Sequence, residues 1–271
     1  MLTDRQLRAW NELGLGPAWT QRRAVGGRLA DPAVDGAAAP LDDIAEDSGE
    51  AMEAAGGAGI VARTAASAGT EASRASWEAI SAEVQACRRC GLCETRKRTV
   101  FGSGPLSARW MLIGEAPGAE EDARGEPFVG QAGRLLDRML ASIGLSRETD
   151  VFITNVLKCR PPGNRNPEPL EAEACSAYLY RQIELLQPEL IVLLGRFAMQ
   201  SVLKTDANVA SLRQRVHHYP GVHRRIPVIC TYHPAYLLRN LPEKRKSWED
   251  LCLALDVARR EQAERRAAAG D

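Results

Sequence analysis

The 271-residue chain has no apolar run of membrane-spanning length and no leader of the secretory kind, so we expect a soluble, cytoplasmic protein with no membrane partner. It has no net charge, 35 Lys and Arg facing 35 Asp and Glu, which removes bulk charge as a pointer to partners. It has no internal repeat. Its seven cysteines cannot all pair with one another, and without an export signal clustered cysteines suggest metal ligation more than disulfides. Residues 25–72, rich in Ala, Gly and acids, lack any periodic apolar face and cannot bury enough surface to offset chain entropy.

What is present is unevenly distributed. Residues 1–80 carry 7 basic and 12 acidic side chains, whereas residues 202–248 hold nine Lys and Arg against two acids. A basic C-terminal region suits nucleic acid, although a solvated charged face has the same composition. Residues 1–24 have a short amphipathic look, with Leu2, Leu7, Trp10, Leu13, Leu15 and Trp19. We expect this segment to dock on a protein partner, residues 25–75 to be a disordered linker, a domain over 76–263, and a flexible tail over 264–271. Within the domain, Trp110–Gly114, Val151–Asn155, Leu190–Leu194 and Pro227–Thr231 read as buried strands. Helical stretches lie between them, at about 130–144, 168–186, 196–204 and 244–263. That alternation predicts a three-layer α/β/α sandwich around a mostly parallel four-stranded sheet.

The stretch GEAPGAEEDARGEPFVGQAG at 114–133 follows the first strand with many glycines. It lacks the lysine of a phosphate loop and carries Glu115, Glu120, Glu121 and Asp122 instead. Ligands of such sheets bind beyond the carboxyl ends of the strands. There this chain places the acidic loop, Asn155, Gly195 and Tyr232-His233-Pro234. Their joint placement points to a site, where each alone would pass for a loop cap.

Cys87 and Cys90 form a CxxC before the first strand, Cys159 follows the second, and Cys175 comes sixteen positions later. Two close thiolates and a distant pair can close a four-sulfur site, for zinc or for an iron–sulfur cluster. Cys93 lies near enough to be confused with a ligand, whereas Cys230 and Cys252 read as small apolar core residues.

Five motifs then occur in order. They are Cys87-Arg-Arg-Cys90, Gly114-Glu-Ala-Pro-Gly118, Glu126-Pro-Phe-Val-Gly-Gln-Ala-Gly133, Thr154-Asn-Val-Leu-Lys-Cys-Arg-Pro-Pro-Gly-Asn-Arg-Asn-Pro167 and Thr231-Tyr-His-Pro-Ala-Tyr236. Together they resemble the family 4 uracil-DNA glycosylases, the iron–sulfur branch of their superfamily, over about residues 77–260. The resemblance implies that the protein flips uracil from single- or double-stranded DNA and hydrolyses its N-glycosidic bond, as a monomer. It implies that Phe128 stacks on the base, Asn155 reads its edge and His233 faces O2. It implies that Cys87, Cys90, Cys159 and Cys175 hold a [4Fe–4S] cluster, and that Leu237 wedges into the stack, with Leu238 as the alternative and Arg239 beside it. In better-known members an aspartate stands at the position of Ala116, so a carboxylate role must move, first to Glu121 and second to Glu115. One branch captures its substrate covalently through a histidine-bearing loop, and residues 158–167 here have no histidine, which implies turnover.

The residues suit that chemistry. An amide donates to O4 and accepts from N3–H of uracil, whereas cytosine presents the opposite pattern. A histidine donor at O2 stabilises the leaving base, and a carboxylate stabilises a cationic sugar. The loop around Gly118–Glu121 is the candidate wall against the thymine methyl group, and Arg160 and Arg165 are placed to grip phosphates. Two rivals are a non-catalytic DNA-binding module stabilised by metal or cluster, and a small-molecule enzyme on a similar sheet.

Overall fold

The computed structural model describes residues 63–269, and the expected partner-docking segment at 1–24 lies outside them. Five strands form one sheet in the order β2-β1-β3-β5-β4. The strands β1 (Trp110–Gly114), β2 (Val151–Asn155), β3 (Leu190–Leu194) and β5 (Arg225–Thr231) are mutually parallel. The fifth, β4 (Val216–Pro220), runs antiparallel along the β5 edge, so the four-strand expectation is corrected by one. Its sequence, VHHYP, is exposed or half-buried throughout, and an edge strand of this kind carries no apolar run to read.

Side chains alternate across the sheet with period two. Met111 and Ile113 of β1 point into one core, with Trp77, Ile80 and Val84 of α1 (Arg63–Ala86) and Tyr178, Leu179 and Ile183 of α5 (Pro169–Leu186). Trp110 and Leu112 point into the other, with Leu136 and Leu140 of α4 (Gln131–Ser142) and Trp248 and Leu251 of α9 (Lys244–Ala269). Trp77, Ile80 and Val84 recur at three- and four-residue spacing, which is the stripe a helix needs to lie on a neighbour. Both terminal expectations move outward. The first helix begins at Arg63, inside the stretch read as linker, and the last reaches Ala269, beyond the boundary at 263.

Chain order reverses at β1, with β2 on one side and β3 on the other, and the crevice of such a sheet opens at that switch point. The short helices α2 (Leu92–Thr95), α3 (Ala119–Arg124), α6 (Arg196–Leu203), α7 (Val209–Leu212) and α8 (Pro234–Arg239) complete the α-helices of the described residues. Of these, α3, α6 and α8 begin within five residues of the strand ends that face the crevice.

Candidate active site

A cleft of about 820 Å³ lies at the carboxyl ends of β1, β2, β3 and β5, lined by Glu115, Glu121, Phe128, Asn155, Arg196 and His233 among others. Asn155 is the last residue of β2 and pairs across the sheet with Gly114. It is only 2% exposed, and its Oδ1 has no hydrogen-bond partner. A buried, unpaired acceptor is uncommon in a folded chain, and this one lines the cleft, where a ligand could pair with it. Gly114 makes the place possible. A Cβ there would stand 2.4 Å from Asn155 Oδ1 and 2.7 Å from Phe128 Cζ.

Phe128 adopts φ 54°, a left-handed conformation that is uncommon for a bulky residue and persists only where the surroundings impose it. Three devices do so. Glu121 accepts hydrogen bonds from the backbone N–H groups of Val129 and Gly130 at 3.0 and 3.1 Å, and from Gly118 N–H at 3.1 Å. Arg147 donates to the Pro127 and Phe128 carbonyls at 3.2 and 2.9 Å while paired to Asp137 at 2.7 Å. Gly133 packs so closely that a Cβ would overlap the Phe128 carbonyl oxygen. The ring ends 5.4 Å from that of His233, tilted by 30°. Arg147 gives no signal in the sequence, because it acts on main-chain atoms nineteen residues away.

His233 is the N-cap of α8, and its Nδ1 accepts the Ala235 N–H at 3.1 Å. That bond fixes the tautomer: a neutral ring then carries its proton on Nε2. Burial, helped by the nearby Arg239 cation and opposed by Glu121, pushes the imidazole down to about 4, so it is neutral at physiological pH. A neutral N–H donor is thereby held against the cleft.

The two carboxylates differ. Both oxygens of Glu121, expected to act first at the sugar, accept backbone N–H groups, so this residue holds the loop together while lining the cleft. Glu115 lines the cleft without a hydrogen bond to its carboxylate among the described residues. Burial raises its carboxyl above the ordinary range, and Arg196 partly opposes this. Ala116 and Gly118 line the same wall.

Beside β2, on the helix side of α1 and α5, Cys87, Cys90, Cys93, Cys159 and Cys175 surround one small cavity together with Arg96 and Lys158. Arg96 Nη1 donates to Cys159 Sγ at 3.0 Å, and the Lys158 N–H donates to Cys175 Sγ at 3.4 Å. Burial raises the Cys90 and Cys175 thiols and pushes Cys159 up to about 11. Among the described residues no group of three or more His, Cys, Asp or Glu is arranged to hold a metal ion. Cys230 is fully buried elsewhere and Cys252 is half-buried on α9; neither lines the cavity.

Residues 101–253 match the model of the Uracil DNA glycosylase superfamily. The chain belongs to that superfamily. Its relatives include type-4 uracil-DNA glycosylases from Archaeoglobus fulgidus, 47% identical over 171 residues, and from Saccharolobus solfataricus, 46% identical over 176. These matches cover 62% and 63% of this chain and 85% and 81% of the relatives. A third, from Sulfurisphaera tokodaii, is 44% identical over 180 residues, 65% of this chain and 81% of its own. The type-4 branch is therefore where this chain falls, as its five motifs imply.

The structure also places the residues expected to contact DNA. Leu237 is 1% exposed and packs under α8 in the core shared with Leu135, Met139, Trp248 and Leu251, so it cannot reach a base stack as it stands. Leu238, 38% exposed, is the leucine that faces outward, with Arg239 exposed beside it and lining the cleft. Arg165 pairs with Glu171 through two hydrogen bonds of 2.9 and 2.6 Å, which makes it a brace for the loop after β2 at the edge of the cleft. Arg160 donates to Asn164 Oδ1 at 2.7 Å inside that loop.

Proposed function

We propose that the chain removes uracil from DNA by hydrolysing its N-glycosidic bond, leaving an abasic site for base excision repair. The observation that carries the reading is the buried, unpartnered Asn155 Oδ1 beside Phe128 and the neutral His233. The target base must leave the helix stack to enter such a cleft. Phe128 then stacks on the flipped ring. Asn155 Oδ1 accepts from N3–H and its amide nitrogen donates to O4, a pattern that cytosine reverses. Ala116 to Gly118 form the wall that a thymine methyl group would meet.

Water attacks the sugar C1′ as the bond to N1 breaks, and the electron pair leaves with uracil. The His233 Nε2–H donates to O2, where the charge accumulates; one donor of this kind is worth roughly 10²–10³ in rate. Glu115 faces the electron-poor sugar and takes the proton of the attacking water, for which a carboxyl above its ordinary range is the better base. Leu238 fills the gap left by the base, while Arg239 and Arg160 approach the phosphates. Cutting of uracil-containing DNA, set beside identical DNA with thymine and beside free deoxyuridine, tests this reading against both rivals.

Cys87, Cys90, Cys159 and Cys175 would hold a [4Fe–4S] cluster. The supporting features are a shared cavity lined by thiols and a cationic neighbour, Arg96, bonded to one of them and suited to a cluster with anionic ligands. Raised thiols favour protonation, and a bound metal reverses this by holding thiolates. Zinc is the alternative, and iron content with the visible absorption of the purified protein separates the two. Bound there, such a cluster would cross-link the segment after α1, α5 and the loop after β2. The monomeric state and a cytoplasmic location complete the reading; among the described residues no helix is long and apolar enough to cross a membrane.

A further inference from the structure

Lys158 is the largest fully buried side chain of the described residues, 1% exposed, and it belongs to neither the cleft nor the set of thiols. Its ammonium turns back along the chain. Nζ donates to the Asn155 carbonyl at 2.8 Å, to Thr154 Oγ1 at 2.6 Å and to Gln182 Oε1 at 2.6 Å. Those three bonds use all the donors an ammonium has. Its backbone faces the other way, the N–H donating to Cys175 Sγ at 3.4 Å and the carbonyl accepting from Val100 at 2.7 Å. Gln182 and Thr154 are themselves held, both donating to the Phe101 carbonyl at 2.9 and 2.8 Å. Gln182 and Cys175 lie on the same helix, α5.

We propose that Lys158 is a positioning residue which ties the carboxamide of Asn155 to the cysteine cavity. The inference rests on the glycosylase reading and adds a residue to it. The argument is geometric. Asn155 ends β2, and beyond it the strand pairing stops, although Val156 and Leu157 still donate to the Gly114 and Glu115 carbonyls at 3.0 Å. The peptide plane that carries the Asn155 carbonyl sets where the side chain of the same residue points. Lys158 pins that carbonyl from below, and its own main chain is pinned by a sulfur of the cavity. A shift of α5 or of the thiols is therefore passed through this lysine to the amide that reads the base.

A double-mutant cycle tests it in the full-length protein. Single-turnover excision from uracil-containing DNA is measured for wild type, Lys158→Met, Asn155→Ala and the double variant, with iron content, visible absorption and equilibrium binding of DNA bearing a non-cleavable 2′-fluorinated deoxyuridine. Methionine keeps the length and removes all three donors. We expect Lys158→Met to lower the rate by roughly 10- to 100-fold, the equivalent of one charge-assisted hydrogen bond. In the Asn155→Ala background we expect a further loss under about threefold, because coupled residues are non-additive. Binding of the non-cleavable DNA should weaken in Lys158→Met and not weaken again in the double variant.

A rate within about threefold of wild type in Lys158→Met, or a full additive loss in the double variant, overturns the proposal, whatever the iron content. If Lys158→Met yields no folded protein, Gln182→Met enters the same cycle, since it removes one of the three oxygens around Nζ. The same non-additivity is then expected with a smaller loss, and additivity again overturns the inference. A wild type inert on uracil-containing DNA, or an Asn155→Ala variant as fast as wild type, would instead sink the glycosylase reading itself.

Discussion

The cleft and the cysteine cavity lie on two sides of the same strand end, and they treat polar atoms in opposite ways. Around the cavity the polar side chains are saturated: Lys158 has three oxygen partners, and Arg96 reaches Cys159 Sγ and the Gln85 and Cys87 carbonyls. In the cleft, Asn155 Oδ1 has none, the Glu115 carboxylate has no hydrogen bond among the described residues, and His233 uses one ring nitrogen for a helix cap and leaves the other as donor. Leaving a buried polar group unpaired costs stability, and a ligand that completes it is one way a fold offsets that cost. The saturated side is scaffold and the unsaturated side is site. Glu121 and Glu115, six residues apart in one loop, divide along the same line.

The comparison can be broken by substitution, starting where the effect is greatest. Asn155→Asp loses the donor to O4, and the preference for uracil over cytosine should fall by a large part of the roughly 10⁴ that such polar matching supplies. The ratio of single-turnover rates on the two bases checks this. His233→Ala should lower the uracil rate by about 10²–10³ with a smaller change in DNA affinity. A loss of less than a few-fold would remove His233 from its place at O2. Glu115→Gln should cost at least about 10² in rate with the melting temperature unmoved. Glu121→Gln should do the reverse, lowering the melting temperature and raising KM as the Phe128 loop loosens, with the larger share of any rate loss recovered at saturating DNA. If Glu121→Gln resembled Glu115→Gln in both readouts, the division between scaffold and site would fail in this loop.

The smallest effects sharpen the division on α8. Leu238→Ala should weaken binding of abasic DNA by several-fold and leave stability intact, whereas Leu237→Ala should cost about 2–5 kcal/mol of stability as a core cavity. Urea unfolding and DNA titration of the two variants, side by side, read this out. The pH dependence has a definite sign. His233 has a folded pKa of about 4, below the ordinary value of 6.5, so the folded chain binds fewer protons than the unfolded one between those values. Stability from this group is full above pH 6.5 and is lost as pH falls toward 4, while the ring stays neutral throughout most of that window. NMR titration of the imidazole should find no protonation near pH 6.5.

Much of this architecture was legible before any coordinates. Three strands fall at their expected bounds, because strands buried on both faces in a parallel sheet are unbroken apolar runs. β4 was not, since an edge strand reading VHHYP has no core to declare. The convergence of Asn155, His233 and the acidic loop followed from strand direction alone. What sequence could not separate were near neighbours with equal chemistry. Glu115 and Glu121 differ only in which backbone amides surround them, and Leu237 and Leu238 only in which side of a six-residue helix they occupy. Arg147 was invisible for a related reason, since main-chain carbonyls leave no imprint on the residue that binds them.

Gly114 has one more consequence. The atoms an added methyl group there would meet first are side-chain tips, those of Asn155 and Phe128. Tips can swing aside, so the sheet would absorb the intrusion, but the two groups obliged to swing are the ones proposed to recognise the base. Gly114→Ala would therefore be a chain that keeps its shape and forgets its substrate, with a single carbon standing where information about the fourth letter of the genome is checked.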